Sequence, residues 1–323
     1  MAPGNDVNEP TVTRDWNRKA NLSLAEFLLT QLLMMGNMTR RQLATATGLP
    51  ERHATMKATI GFLQRGHRIV RLDRHHARRA VYAILPNAAQ ELAVAWGEPE
   101  SYLPTLRIQW SATLAHDLLG VDVYLHWLTH AEPPYYGLVS WYGGHHAALL
   151  YKPDDAPIET GRGRPRTVHS LLRPDALALY VLNYPAQDGV GPFRGELDLR
   201  MEIDRATEPL ETIRDKVRRY KQVVAVRDAG HRIVVLFITT APGRVPNLVA
   251  AIRNGLQRGR PVENLSFWVT DTATFFGAHP LDPIWQGVYN DAPVSLVQLP
   301  TNPLGNWPAE MFLRTWTGAT ACD

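Results

Sequence analysis

The stretch GELDLRMEID, residues 195–204, alternates without a break. In an extended chain Leu197, Leu199, Met201 and Ile203 fall on one side, and Glu196, Asp198, Arg200, Glu202 and Asp204 on the other. This is the signature of a β-strand, and it ends with two carboxylates on the same face. A helical pattern follows at once, with Leu210, Ile213, Val217, Tyr220 and Val224 forming one apolar stripe. Lys216 lies about 60° from the centre of that stripe at about 100° per residue, so it borders the buried face and can turn back towards the two acids. Arg214, Arg218 and Lys221 are expected to point outward.

The segments around this strand read as an alternating α/β unit. RPDALALYVLN, residues 173–183, is almost continuously apolar, the pattern of a strand buried on both faces, yet it opens with Asp175 directly after Pro174. A carboxylate at the mouth of a buried strand is costly unless it is paired or holds a metal. RIVVLFITT and SFWVTD read as further strands, VPNLVAAIRNGL as a helix between them, and TLAHDLLGVDVYLHWLTHA with YYGLVSWYG as an earlier helix and strand. The order is helix, three strands, helix, strand, helix, strand.

The first third is organised differently. NLSLAEFLLTQLLMMG has helical spacing with Ser23 as its N-cap and Gly36 as its stop, and MTRRQLATATGLP is a short helix capped by Thr39 and ended by Gly48. ERHATMKATIGFLQRG is a third helix, and two strand-like runs flank the basic turn RHHAR before a helix that starts at Pro86. Three helices and a hairpin form the winged-helix order. Charge supports a nucleic-acid partner. Residues 39–80 hold ten Lys/Arg against Glu51 and Asp73, a net +8, whereas the whole chain carries +3, which leaves −5 for the remainder. The third helix would enter the major groove with Arg52, His53, Thr55 and Lys57 near its start, and Arg71, Arg74, Arg78 and Arg79 would meet phosphates from the hairpin. The other reading of such a unit is a scaffold for dimerisation or for a protein partner.

RPDA and MEID within this element order resemble the PD-(D/E)xK, restriction-endonuclease-like fold. That resemblance implies a divalent metal, Mg²⁺ or Mn²⁺, held by Asp175 and Glu202. It also implies a lysine two residues after the acid, where this sequence has Asp204. Either Lys216 takes the place of that lysine or Asp204 is a third metal ligand. The metal would activate a water molecule for attack on a phosphodiester while Lys216 stabilised the developing charge. Taken whole, the chain resembles the replication-relaxation family of plasmid and mobile-element proteins over roughly residues 24–290. Its hallmarks fall on His116, Asp175, Glu202 with Asp204, Thr207 with Glu208, and Tyr220. The resemblance implies DNA binding in plasmid maintenance or relaxation and singles out His116 as a further catalytic candidate.

The expected organisation is a disordered lead over 1–20, a winged helix over 21–97, a linker over 98–110, a nuclease-like mixed-sheet α/β domain over 111–280, and a C-terminal wrap over 281–323. Expected partners are double-stranded DNA and a second copy of the chain. Two functions remain open: a metal-dependent nickase or endonuclease, or a transcriptional or replication regulator with a non-catalytic nuclease fold. A third, a protein-interaction adaptor, uses both domains as scaffolds. Arg162 and Arg164 sit in GRGRPR, which looks like the core of an AT-hook and is a second candidate DNA contact. His126 with His130, and His145 with His146, have spacings compatible with metal binding but no acid or cysteine at ligand spacing beside them. The single cysteine, Cys322, excludes an internal disulfide framework, and no apolar run of membrane-spanning length or secretory leader is present, so the cytoplasm is the expected compartment.

Overall fold

The computed structural model describes residues 22–72, 80–95, 114–133, 135–143, 147, 149–151, 170–184, 193–226, 230–257, 262–303 and 312–313. The expected lead over 1–20 and linker over 98–110 lie outside these, as do Arg74, Arg78, Arg79, His145, His146, Arg162 and Arg164.

Local signals set the N-terminal elements. Helix α1 (Leu24–Met35) starts at Ser23, which exchanges hydrogen bonds with Glu26 in a capping box, and it stops at Gly36 with φ 77. Helix α2 (Arg40–Thr47) repeats the device with Thr39 and Gln42 and ends on Gly48 in the left-handed region. Helix α3 (Ala54–Arg65) buries Met56, Ile60 and Leu63 against α1 and leaves its other faces to solvent. Strands β2 (Ile69–Leu72) and β3 (Val81–Ile84) pair as expected. A third strand, β1 (Asn37–Thr39), completes a β1-β3-β2 sheet, and α4 (Pro86–Ala95) closes the unit. At three residues β1 is too short to show a period, and its role follows from tertiary pairing with Val81, Tyr82 and Ala83.

The second part is a mixed α/β layer structure around a six-stranded sheet of order β11-β10-β9-β8-β7-β4. Its elements are α5 (Leu114–Thr129), β4 (Tyr136–Gly143), β7 (Ala176–Tyr184), β8 (Phe193–Asp204), α6 (Leu210–Val226), β9 (Ile233–Thr239), α7 (Val245–Leu256), β10 (Leu265–Asp271), α8 (Thr272–Gly277) and β11 (Gln286–Gly287). The short pair β5 (Leu149–Tyr151) and β6 (Ser170–Leu172) stands apart from the sheet. Strand β8 is the pivot, antiparallel to β7 and parallel to β9.

Both faces of β8 are covered. Leu199, Met201 and Ile203 share a core with Val121, Tyr124 and Leu128 of α5. On the opposite face, Ile213, Val217, Tyr220 and Val224 of α6 pack with Val235 and Phe237 of β9 and with Leu248 and Ile252 of α7. The two helices approach closely, since a Cβ on Gly255 would lie 2.9 Å from Val217. The charged face of β8 is therefore roofed rather than solvated, with Arg200, Glu202 and Asp204 at 8%, 1% and 4% exposure. Lys221, expected to point outward, is also buried. It lies on the side of α6 facing α7, where its Nζ donates to the Leu256 carbonyl at 2.9 Å.

The two parts share one hydrophobic cluster, in which Leu28, Leu32 and Leu43 belong with Val121, Tyr124 and Trp127. Polar contacts reinforce the seam. Gln42 Nε2 donates to the Leu118 carbonyl at 2.7 Å and to Asp122 Oδ1 at 2.9 Å, and Arg41 lies 3.4 Å from the same carboxylate. Among the described residues no helix is long and apolar enough to cross a membrane.

Candidate functional site

The C-terminal end of β8 delivers Glu202 and Asp204 to the face under α6, two residues apart as strand period requires. Glu202 is fully enclosed. Lys216 Nζ donates to its Oε2 at 2.9 Å and the Tyr220 hydroxyl to its Oε1 at 2.7 Å. Lys216 and Tyr220 are four residues apart, so a single helix face brings both donors to one carboxylate. Burial pushes the Glu202 carboxyl above its usual range, with the Lys216 charge working against that shift. Burial also acts to lower Lys216, but the charge and hydrogen bond of Glu202, together with the charges of Asp175 and Glu208, outweigh it and hold the ammonium above its ordinary value. Burial and the neighbouring carboxylate drive the Tyr220 hydroxyl well above its ordinary value, which makes it a hydrogen-bond donor and a poor nucleophile.

Asp204 has a separate set of partners. Thr239 Oγ1, at the end of β9, donates to its Oδ2 at 2.8 Å. Arg244 grips both oxygens, Nε to Oδ2 at 2.6 Å and Nη2 to Oδ1 at 3.2 Å. Nη2 of Arg244 also donates to the Glu208 carbonyl, and the Ala206 N–H donates to Asp204 Oδ1 at 3.1 Å. The turn carrying Ala206 therefore closes over the acid, with Ala206 itself at φ 60.

Asp175 sits just ahead of β7, beyond the last regular pairing of β7 with β8. Its Oδ2 accepts the N–H of Ile203 at 2.6 Å. His116 of α5 places Nε2 3.1 Å from the Ile203 carbonyl and 3.3 Å from Asp175 Oδ2. The neighbouring carboxylates of Asp117 and Asp175 raise the His116 pKa to about 10 against the opposing effect of burial, so the ring is an imidazolium at neutral pH.

The structure thus brings Asp175, Glu202, Asp204, Lys216 and His116 to one end of the sheet. A metal held by Asp175, Glu202 and Asp204 does not fit this arrangement. The oxygens of Glu202 and Asp204 are taken by cations and hydroxyls of the chain itself, and among the described residues no group of three His, Cys, Asp or Glu is placed to hold a metal ion. Each acid faces its own cation: Asp175 faces His116, Glu202 faces Lys216, and Asp204 faces Arg244. Sequence reasoning missed Arg244. Its signal was a cation at the N-terminal end of α7, where the helix dipole disfavours positive charge unless an acid compensates.

In the N-terminal unit, Arg52, His53, Thr55 and Lys57 are all exposed at the start of α3. His53 also caps the helix, its Nδ1 accepting the Thr55 N–H at 3.3 Å. Arg71 is exposed on β2, and Phe62 stands 62% exposed on α3. His126 and His130 belong to a packed cluster with His279, the ring centroids 4.2 Å and 5.2 Å apart along the series. His126 donates through Nε2 to the Ala278 carbonyl at 3.0 Å, and desolvation lowers its pKa to about 4.

Compared with protein-family models, residues 29–234 match the one described as Replication-relaxation. No curated protein and no solved structure matches the chain.

Proposed function

The chain belongs to the replication-relaxation family, and from that premise we propose that it serves plasmid or mobile-element replication as a double-stranded DNA-binding protein. In this reading residues 24–95 act as a winged helix, with α3 presented to the major groove and Arg71 to the backbone. The observation that carries it is the exposed start of α3, where Arg52, His53, Thr55 and Lys57 face solvent within a segment of strong positive charge. The second part acts as a nuclease-like α/β platform whose acids are neutralised from within, and it contributes by binding rather than cleavage.

Titration of a labelled duplex by the full chain at several salt concentrations tests the reading. Binding should weaken steeply with salt, with log K falling by about 0.9 per tenfold rise in salt for each phosphate contact. Arg52→Ala with Lys57→Ala should weaken it further. Salt-insensitive behaviour, or no binding, sinks the proposal and favours a protein-interaction role.

A second reading, cleavage at the acid cluster, rests on Lys216 standing 2.9 Å from Glu202, as a substitute for the lysine that the nuclease resemblance expects at position 204. Conversion of supercoiled plasmid to open-circular or linear form with Mg²⁺ or Mn²⁺, present in the wild type and lost in Glu202→Ala, would establish it. Equal behaviour of the two proteins removes it.

A further inference from the structure

Burial sorts the two inner ion pairs at the end of β8 by sign. The side chains of Glu202 and Asp204 are each 2% exposed, whereas those of their partners Lys216 and Arg244 are 23% and 17% exposed. The acids lie beneath and the cations lie above them. Three further carboxylates reach the rim, and each faces a cation: Asp175 is 3.3 Å from His116, Asp117 is 3.7 Å from His116, and Glu208 is 3.3 Å from Lys216.

Two more cations flank this arrangement. Arg173 precedes the Pro174-Asp175 pair and Arg205 follows Asp204, and both are exposed. The antiparallel register that pairs Ala176 with Met201 carries the two arginines to the same corner of the sheet. Arg205 leads directly into the turn at Ala206, whose positive φ and hydrogen bond to Asp204 hold that turn over the acid. Backbone strain of this kind at an alanine persists where the surrounding structure enforces it. The corner lies at the C-terminal ends of the parallel strands β8 and β9, the side on which open α/β sheets receive ligands.

We propose that this corner is a second DNA contact, in which Arg173 and Arg205 meet backbone phosphates of the duplex directly, with no metal ion as intermediary. The proposal rests on the reading of the chain as a DNA-binding protein. It gives the acid cluster a role: the buried carboxylates hold Lys216 and Arg244 in place, and the phosphate is met by the exposed arginines of the chain itself.

The test uses the full chain, a labelled duplex and a chelator throughout. Arg173→Ala with Arg205→Ala should lower affinity and reduce the steepness of the salt dependence by about two phosphate contacts, about 1.8 in slope, with an unchanged melting temperature. Arg173→Lys with Arg205→Lys should restore most of both. If Arg52→Ala with Lys57→Ala weakens binding while Arg173→Ala with Arg205→Ala changes neither affinity nor slope, the corner is not a DNA contact and the winged-helix reading stands. If the wild type binds duplex only when Mg²⁺ or Mn²⁺ is supplied, the metal-free contact is overturned. If the wild type binds no duplex under any condition, the DNA-binding reading fails and this proposal fails with it.

Discussion

His116 and Asp175 hold the two polar groups of one residue: the carboxylate accepts the N–H of Ile203 and the imidazolium donates to its carbonyl. Ile203 lies between Glu202 and Asp204, so this grip fixes the stretch of backbone from which both acids project. His116 thereby acts as a positioning residue. Its pKa of about 10 exceeds the unfolded value of about 6.5, so the stability it contributes is complete below pH 6.5 and is lost as pH rises through 10. Urea midpoints measured from pH 6 to 10 should fall more steeply for the wild type than for His116→Gln. Parallel profiles would show that the ring does not carry this linkage.

Lys216→Met leaves the Glu202 carboxylate buried without its cation and should destabilise the fold by about 3–5 kcal/mol. Adding Glu202→Gln removes the stranded charge and should recover most of that loss. Additive losses in the double variant would mean that the two residues contribute separately, against the 2.9 Å contact between them.

Gln31 lies in the middle of α1 at 0% exposure, and among the described residues neither its amide nitrogen nor its amide oxygen has a hydrogen-bond partner. Such a group lowers stability by about 1–3 kcal/mol relative to a satisfied one, so Gln31→Met, similar in shape and without polar hydrogens, should raise the denaturation midpoint. A fall in the midpoint would show that the amide is satisfied in solution.

His126 behaves oppositely to His116. With its folded pKa lowered to about 4, protonation favours the unfolded chain, so stability is lost as pH falls from about 6.5 through 4. The titratable groups of this cluster are His130 and His279, with Glu132 and Asp282 beside His279. His126→Phe, set among Phe275 and Phe276, should flatten that acid limb in melts between pH 4 and 7. An unchanged limb would place the acid sensitivity elsewhere.

Much of this architecture is legible in the chain because its signals are local. Ser23, Thr39, Gly36 and Gly48 bound their helices by capping chemistry that needs no tertiary context. The alternation of β8 and the stripe of α6 together aim Lys216 at Glu202, as the contact bears out. What remained hidden depends on partners distant in sequence. Arg244 is 40 residues from Asp204, and β1 gains its identity only from β3. Burial of Lys221 and of the polar face of β8 follows from the packing of α7 beside α6, which the period of either segment alone does not encode.

The seam between α2 and α5 has a mechanical meaning. Gln42 and Arg41 converge on Asp122 over a shared apolar core, so no swivel separates the helix that precedes α3 from the helix that carries His116. A duplex touching both α3 and the corner at Arg205 would be measured as by a rigid ruler. Because B-DNA turns once in about 10 base pairs, an insertion of about half a turn between the two contacts would carry the second to the far side of the helix, and a full turn would restore the phase.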